Sequence, residues 1–217
     1  MYMRTFDDEE IKALCTPNNI IGQLINGDVD PEWLSSVPHR KFVDMYIVYR
    51  LNVGSLFSEE KGIYSVIIDN NLMHETGWVE SSLYAAAIYN IGEPYIANTV
   101  EFLGLDSETT HDPLSDIFLV ITSNEHIYGA FVIADIKVLN TVAKRINGDF
   151  IILPGSVDEM YACKLLPDLD MSEIQSLAKE VSSMVDSKKD FITDKIYIYR
   201  GNVHAIETVP GGITWQL

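Results

Sequence analysis

Ser156 is the side chain whose setting comes nearest to a nucleophile's. It follows Gly155 directly after an apolar run at residues 150–153, where a turn can present a hydroxyl, and Asp158 and Glu159 stand close by. A hydrolytic serine needs a base within hydrogen-bond reach and a donor for the oxyanion. No histidine neighbours it along the chain, and the Gly-x-Ser-x-Gly elbow is absent. The plainer reading of Pro-Gly-Ser-x-Asp is a turn whose serine caps the next segment. Asp44 is a second acid/base candidate, at the head of a long apolar run at residues 42–51. Written as one strand, that run puts Asp44, Tyr46, Val48 and Arg50 on one face. Asp44 is then either solvent-facing or partly buried against Arg50 or His39, a structural ion pair being the duller outcome. Ser156, Glu159 and Asp44 around a cleft make up the catalytic alternative, a hydrolase.

Other chemistries find less footing. No two of His39, His74, His111, His126 and His204 have the i, i+3 or i+4 spacing that places two ligands on one helical face. No metal and no cofactor is expected. Cys15 and Cys163 are too few for a disulfide scaffold, and Cys163, flanked by apolar residues, reads as a small core residue. Neither the P-loop nor Gly-x-Gly-x-x-Gly occurs, which removes nucleotide binding by those motifs.

Charge says more. The net charge is −17, and no Lys or Arg stands between Lys61 and Lys137. That interval holds Asp69, Glu75, Glu80, Glu93, Glu101, Asp106, Glu108, Asp112, Asp116, Glu125 and Asp135. A field of one sign argues against direct contact with nucleic acid or an anionic membrane, since both need cations. It suits a basic partner, or solubility alone.

These residues must be positioned by the elements around them. Residues 135–148 read as a helix with Asp135 at the N-cap and Ile136, Leu139, Ala143 and Ile146 on one face. Lys144 and Arg145 fall in its last turn, and Gly148 is placed to close it. Residues 117–122, 127–134 and 150–153 read as strands, apolar and rich in β-branched side chains. Upstream, Asp30-Pro31 opens a short helix. The runs at 42–53 and 62–68 suggest an antiparallel hairpin, and 79–91 a further helix. Residues 95–103 fit strand and helix equally. Asp170 caps a helix with Ile174, Leu177, Val181 and Met184 on one face, and 196–199 with 203–207 form a terminal hairpin. Its Tyr197 and Tyr199 are expected at an exposed sheet edge that would allow a homodimer.

The fold class expected is therefore α+β. A mixed, largely antiparallel sheet with interspersed helices forms a single compact domain over residues 1–217. Residues 1–18 are a helical lead-in, 105–115 an acidic loop, and 208–217 a loose tail. No apolar run has the length of a membrane span, and no signal peptide opens the chain, so a cytoplasmic location is expected.

Three blocks resemble a known family. Val37-Pro38-His39-Arg40-Lys41-Phe42-Val43-Asp44 is similar to the entry into a long strand typical of the uncharacterised bacterial family called domain of unknown function 5688. Asn124 through Ala130, and Ile151 through Glu159, resemble two further blocks of it. The last departs from the usual pattern, with Gly155 where Ser is usual and Asp158 where His is usual. The resemblance runs from Asn19 to Ile206 and implies a single domain of bacterial origin, without an established activity.

The function expected is that of an acidic, non-enzymatic binding module. Asp69, Glu75, Glu80, Glu93, Glu101, Asp106, Glu108, Asp112, Asp116 and Glu125 would meet a basic protein partner. A nucleic-acid-binding protein, engaged by mimicry of phosphates, is one such partner.

Overall fold

The computed structural model describes residues 8–56, 64–102, 118–167, 169–183, 185, 187, 189–209 and 214–216. Two sheets hold the strands, and every pairing in them is antiparallel. The α+β expectation therefore holds, with two sheets in place of one.

The smaller sheet is organised around β3 (Met45–Asn52). β1 (Ile20–Ile25) covers one edge of it, and β2 (His39–Phe42) and β4 (Ser65–Ile67) share the other. The expected hairpin of β3 with β4 is present. The run at 42–53 is not one strand, however. Phe42 pairs with Met45, so Val43 and Asp44 form a two-residue turn between β2 and β3. Asp44 consequently shares no strand face with Arg50. Val43 takes φ 57°, rare for a β-branched residue. Burial of its side chain offsets that strain. The turn also has a close neighbour: a Cβ on Gly27 would stand 1.9 Å from the Asp44 carbonyl oxygen.

The larger sheet runs β11-β10-β9-β7-β8-β6-β5. In chain order these are β5 (Tyr95–Asn98), β6 (Phe118–Thr122), β7 (Phe150–Pro154), β8 (Glu159–Lys164), β9 (Ile196–Arg200), β10 (Ala205–Val209) and β11 (Thr214–Gln216). All five residues of β7 are buried, because both of its faces are covered. Phe150 and Ile152 join Tyr197 and Tyr199 of β9 in the core between the sheets. Ile151 and Leu153, with Ile196 and Ile198, join a second core under helix α7 (Met171–Ser183). The period of two along a strand thus sorts one apolar run into two cores. It also overturns the exposed-edge reading, since Tyr197 and Tyr199 are fully buried and β9 has a neighbour on each side. The described parts of the tail are strand: Thr208 and Val209 end β10, and 214–216 form β11.

Local capping sets the helices. Asp30 accepts from the Glu32 amide at α2 (Pro31–Ser36), and Asp69 from the Leu72 amide at α3 (Asn70–Thr76). Helix α4 (Glu80–Asn90) matches its expected span, and residues 95–102 resolve into β5 followed by the short helix α5 (Thr99–Phe102). Helix α6 (Ile136–Ile146) is capped by Asp135, but Asn147, not Gly148, closes it in the left-handed conformation. Its buried face is Val138, Leu139, Val142 and Ile146. On α7, Asp170 accepts from Ser172, Ile174 is buried, and Met184 lies outside the described residues. The run at 127–134 is not a strand: Gly129–Ala134 is a 3₁₀ turn with all six residues buried. The lead-in is α1 (Asp8–Leu14) and a 3₁₀ turn at Pro17–Asn19. The acidic stretch 105–115 lies outside the described residues. Among the described residues no helix is long and apolar enough to cross a membrane.

A pair of polar contacts ties the turn between β2 and β3 to strand β9 of the larger sheet and to the residue just before it. The Tyr197 hydroxyl donates to Asp44 Oδ1 at 2.6 Å, and Lys195 Nζ stands 2.8 Å from Asp44 Oδ2. Asp44→Ala strips a buried hydroxyl of its carboxylate acceptor and is expected to cost about 2–3 kcal/mol, against about 1 kcal/mol for Tyr197→Phe. Urea unfolding with an unchanged m-value checks both the size and the order of the two effects.

Candidate binding cleft

Ser156 and Glu159 do meet, in the loop between β7 and β8. The Ser156 hydroxyl donates to Glu159 Oε1 at 3.0 Å and accepts from the Asp158 amide at 3.1 Å. Both amides that could stabilise an oxyanion, those of Gly155 and Ser156, are spent on the Glu159 carbonyl at 3.2 Å each. The fold brings His126 towards Glu159, but no hydrogen bond among the described residues joins it to Glu159 or Ser156. Its ring packs edge-on against Tyr95 and Phe102, at 5.1 and 5.8 Å between centroids. Asp44 is engaged elsewhere, with Tyr197 and Lys195. The three residues of the hydrolase alternative are not assembled around one reacting position.

What this loop does is hold its neighbours. Asp158 Oδ1 accepts the Tyr128 amide at 2.7 Å, the Asp158 carbonyl accepts the Thr122 hydroxyl, and the Val157 carbonyl accepts the Ala130 amide at 3.1 Å. Two of the three blocks noted in the sequence are thereby tied to each other. His126 and Tyr128 both take positive φ, 54° and 53°, and these bonds maintain the strained path between them. Burial pushes both the Asp158 and the Glu159 carboxyls above the usual carboxylate range. The Tyr128 amide and the Ser156 hydroxyl, respectively, offset part of that rise.

The acids of the Lys- and Arg-free interval have divided fates. Asp69 and Asp135 cap helices. Glu80 receives both arms of Arg40, at 2.9 and 2.8 Å, and the hydroxyl of buried Tyr49. Arg40 in turn lies 3.8 Å over the Tyr84 ring. Burial raises the Glu80 carboxyl, but the Arg40 and Tyr49 hydrogen bonds outweigh it and hold it below its ordinary value. Glu101 pairs with Arg145 at 3.0 Å and accepts the Asn98 amide. Glu75 is exposed. Asp106, Glu108, Asp112 and Asp116 lie outside the described residues.

Glu93 and Glu125 come from separate segments, and neither has an ion-pair partner among the described residues. Both line one cleft of about 310 Å³, walled by β1, the end of α4 and the segment 123–132. Among the described residues no Lys, Arg or His lines it. Its apolar floor includes Phe131, which lies so close under β1 that a Cβ on Gly22 would stand 2.4 Å from the ring. Carboxamides of Asn18, Asn52, Asn90 and Asn124 ring it. Asn90 gives its Nδ2 to the carbonyls of Pro17 and Ile20, at 2.7 and 2.9 Å, and leaves its oxygen as an acceptor. Sequence reasoning had named both glutamates on charge alone and had missed the asparagines and Tyr128. Asparagines scattered over a hundred residues carry no periodic signal, although the block Asn124–Ala130 does furnish one wall.

A family model described as "Family of unknown function (DUF5688)" matches residues 10–201. The chain belongs to that family. The DUF5688 match takes in every wall of the cleft and both residues of the Asp44–Tyr197 contact. No curated protein and no solved structure matches the chain.

The raised Glu159 carboxyl gives a sign that can be checked. The folded protein holds this proton more tightly than the unfolded chain. The contribution to stability is therefore full below the unfolded carboxylate pKa and is lost as pH rises through the folded value. Glu159→Gln abolishes that loss. Urea midpoints at about pH 4 and about pH 7 are expected to show the wild type losing stability relative to Glu159→Gln over that interval.

Proposed function

We propose that this DUF5688 chain is a non-enzymatic binding module that takes a basic segment of a partner protein into the cleft beside α4. The observation that carries the reading is the convergence of Glu93 and Glu125 on a cleft that no cation among the described residues lines. A carboxylate with no ion-pair partner among those residues is available to one outside the fold. The Asn90 oxygen, left as an acceptor while its Nδ2 is held by two carbonyls, can take a remaining N–H group of a guanidinium or ammonium head. The alkyl stem behind such a head packs on Ile21 and Ile127, as long basic side chains do on apolar surface. The engagement of Asp69, Glu80 and Glu101 by partners within the fold shortens the row of carboxylates that a nucleic-acid mimic would need. The support is for one basic segment in one cleft.

Calorimetry with a blocked decapeptide of alternating arginine and glycine tests this. Binding is expected to weaken as salt rises from about 20 to about 150 mM. At low salt, Glu93→Gln combined with Glu125→Gln is expected to weaken it about two- to thirtyfold, from roughly 0.2–1 kcal/mol per exposed pair. Glu75→Gln, on an exposed glutamate outside the cleft, should leave it unchanged. Equal affinity for the wild type and the double variant would remove the cleft from consideration.

A further inference from the structure

The far side of the α4 terminus carries a second concavity. A groove of about 430 Å³ lies between α4 and α6, lined on the α4 side by Ala85, Ile88 and Tyr89 and across from them by Val138. Tyr89 is 82% exposed, the most exposed large apolar side chain among the described residues. A ring left in water at that extent buries nothing for the fold, whereas rings of this kind gain most when a partner covers them. Gly92 lines both this groove and the cleft. It has φ +63°, and apart from its chain neighbours no atom of the described residues lies within 4 Å of where its Cβ would be. The two concavities meet at this residue and follow one another along a path around the end of α4.

The charges along this path differ at its two ends. The cleft offers Glu93 and Glu125. The groove offers Asp135, whose carboxylate is already spent on capping α6 through the Lys137 amide, and the cation Lys137. A run of basic residues would be repelled by Lys137 at the far end, whereas an apolar side chain carries no charge to be repelled. Resting on the reading of the cleft given above, we propose that the groove beside Tyr89 is the apolar half of the same docking surface. The occupant is a partner segment that places a basic side chain between Glu93 and Glu125 and an adjacent apolar one against Tyr89.

Two blocked decapeptides test the pairing: the arginine–glycine peptide, and one in which two of its glycines are leucines. The wild type is expected to bind the leucine peptide about fivefold more tightly, the gain of partly burying one aliphatic side chain. Tyr89→Ser, at a position whose side chain the fold does not bury, should reduce that gain to less than twofold and leave the arginine–glycine peptide unaffected. A leucine peptide that binds no tighter, or a gain that survives Tyr89→Ser, overturns the inference; the cleft reading then still stands on the Glu93 and Glu125 variants. If neither peptide binds, both readings fall.

Discussion

Six consecutive buried residues in a 3₁₀ turn impose the constraint on which the molecule is built. Gly129–Ala134 sits against β1, β6, β8 and α6 at once, so both sheets reach across it. A buried turn must pair its backbone groups, and the bonds of a 3₁₀ turn alone leave its first amides open. The loop after β7 supplies what is needed: Val157 takes the Ala130 amide and Asp158 that of Tyr128 just before it. Gly129 is required by closeness rather than by φ, since a Cβ there would stand 2.0 Å from the Thr122 hydroxyl and 2.3 Å from the Asp158 carbonyl oxygen. Phe131, Val132 and Ile133 then add about 2 kcal/mol of burial each. The floor of the cleft and the core between the sheets are the same few side chains.

Electrostatics in this chain is a matter of assignment. Acids from the stretch that has no lysine or arginine find their cations outside it, Glu80 at Arg40 and Glu101 at Arg145. Others are absorbed at helix starts, where the unpaired amides favour negative charge. Among the described acids of that stretch Glu75, Glu93 and Glu125 are left after these assignments, and the last two share one cleft. The described part of the negative charge thus resolves into a few satisfied pairs, several solvated carboxylates and the two that line the cleft.

The local part of this architecture was legible. Asp30-Pro31, Asp135 and Asp170 announce helix starts because a cap is a bond to an amide two or three residues on. Strand runs at 150–153 and 196–199 were legible as well, because short apolar runs rich in β-branched and aromatic side chains need no partner to be seen. Residues 127–134 were not, since a fully buried apolar run looks the same as a strand or as a 3₁₀ turn. The Val43-Asp44 turn hid for the opposite reason: valine is a poor choice for positive φ, and only the tertiary packing of its side chain makes it tolerable. For the cleft, charge named Glu93 and Glu125, but their meeting across thirty-two residues of chain is a product of the fold. Ser156 and Glu159 stood three apart and were joined as the spacing allowed, into a turn in place of a catalytic pair.

The larger sheet is guarded unequally. One face is sealed by the other sheet, α4, α6 and the 3₁₀ wedge, while the other is shielded, among the described residues, mainly by α7 through Ile174 and Ala178. A thirteen-residue helix held by so small an apolar set can detach while the inter-sheet core stays intact. Its lifting bares Ile151, Leu153, Ile196 and Ile198, a continuous β-rich apolar surface. Amide exchange in α7 would then proceed by an opening cheaper than global unfolding, and self-association of the opened form would begin at that surface.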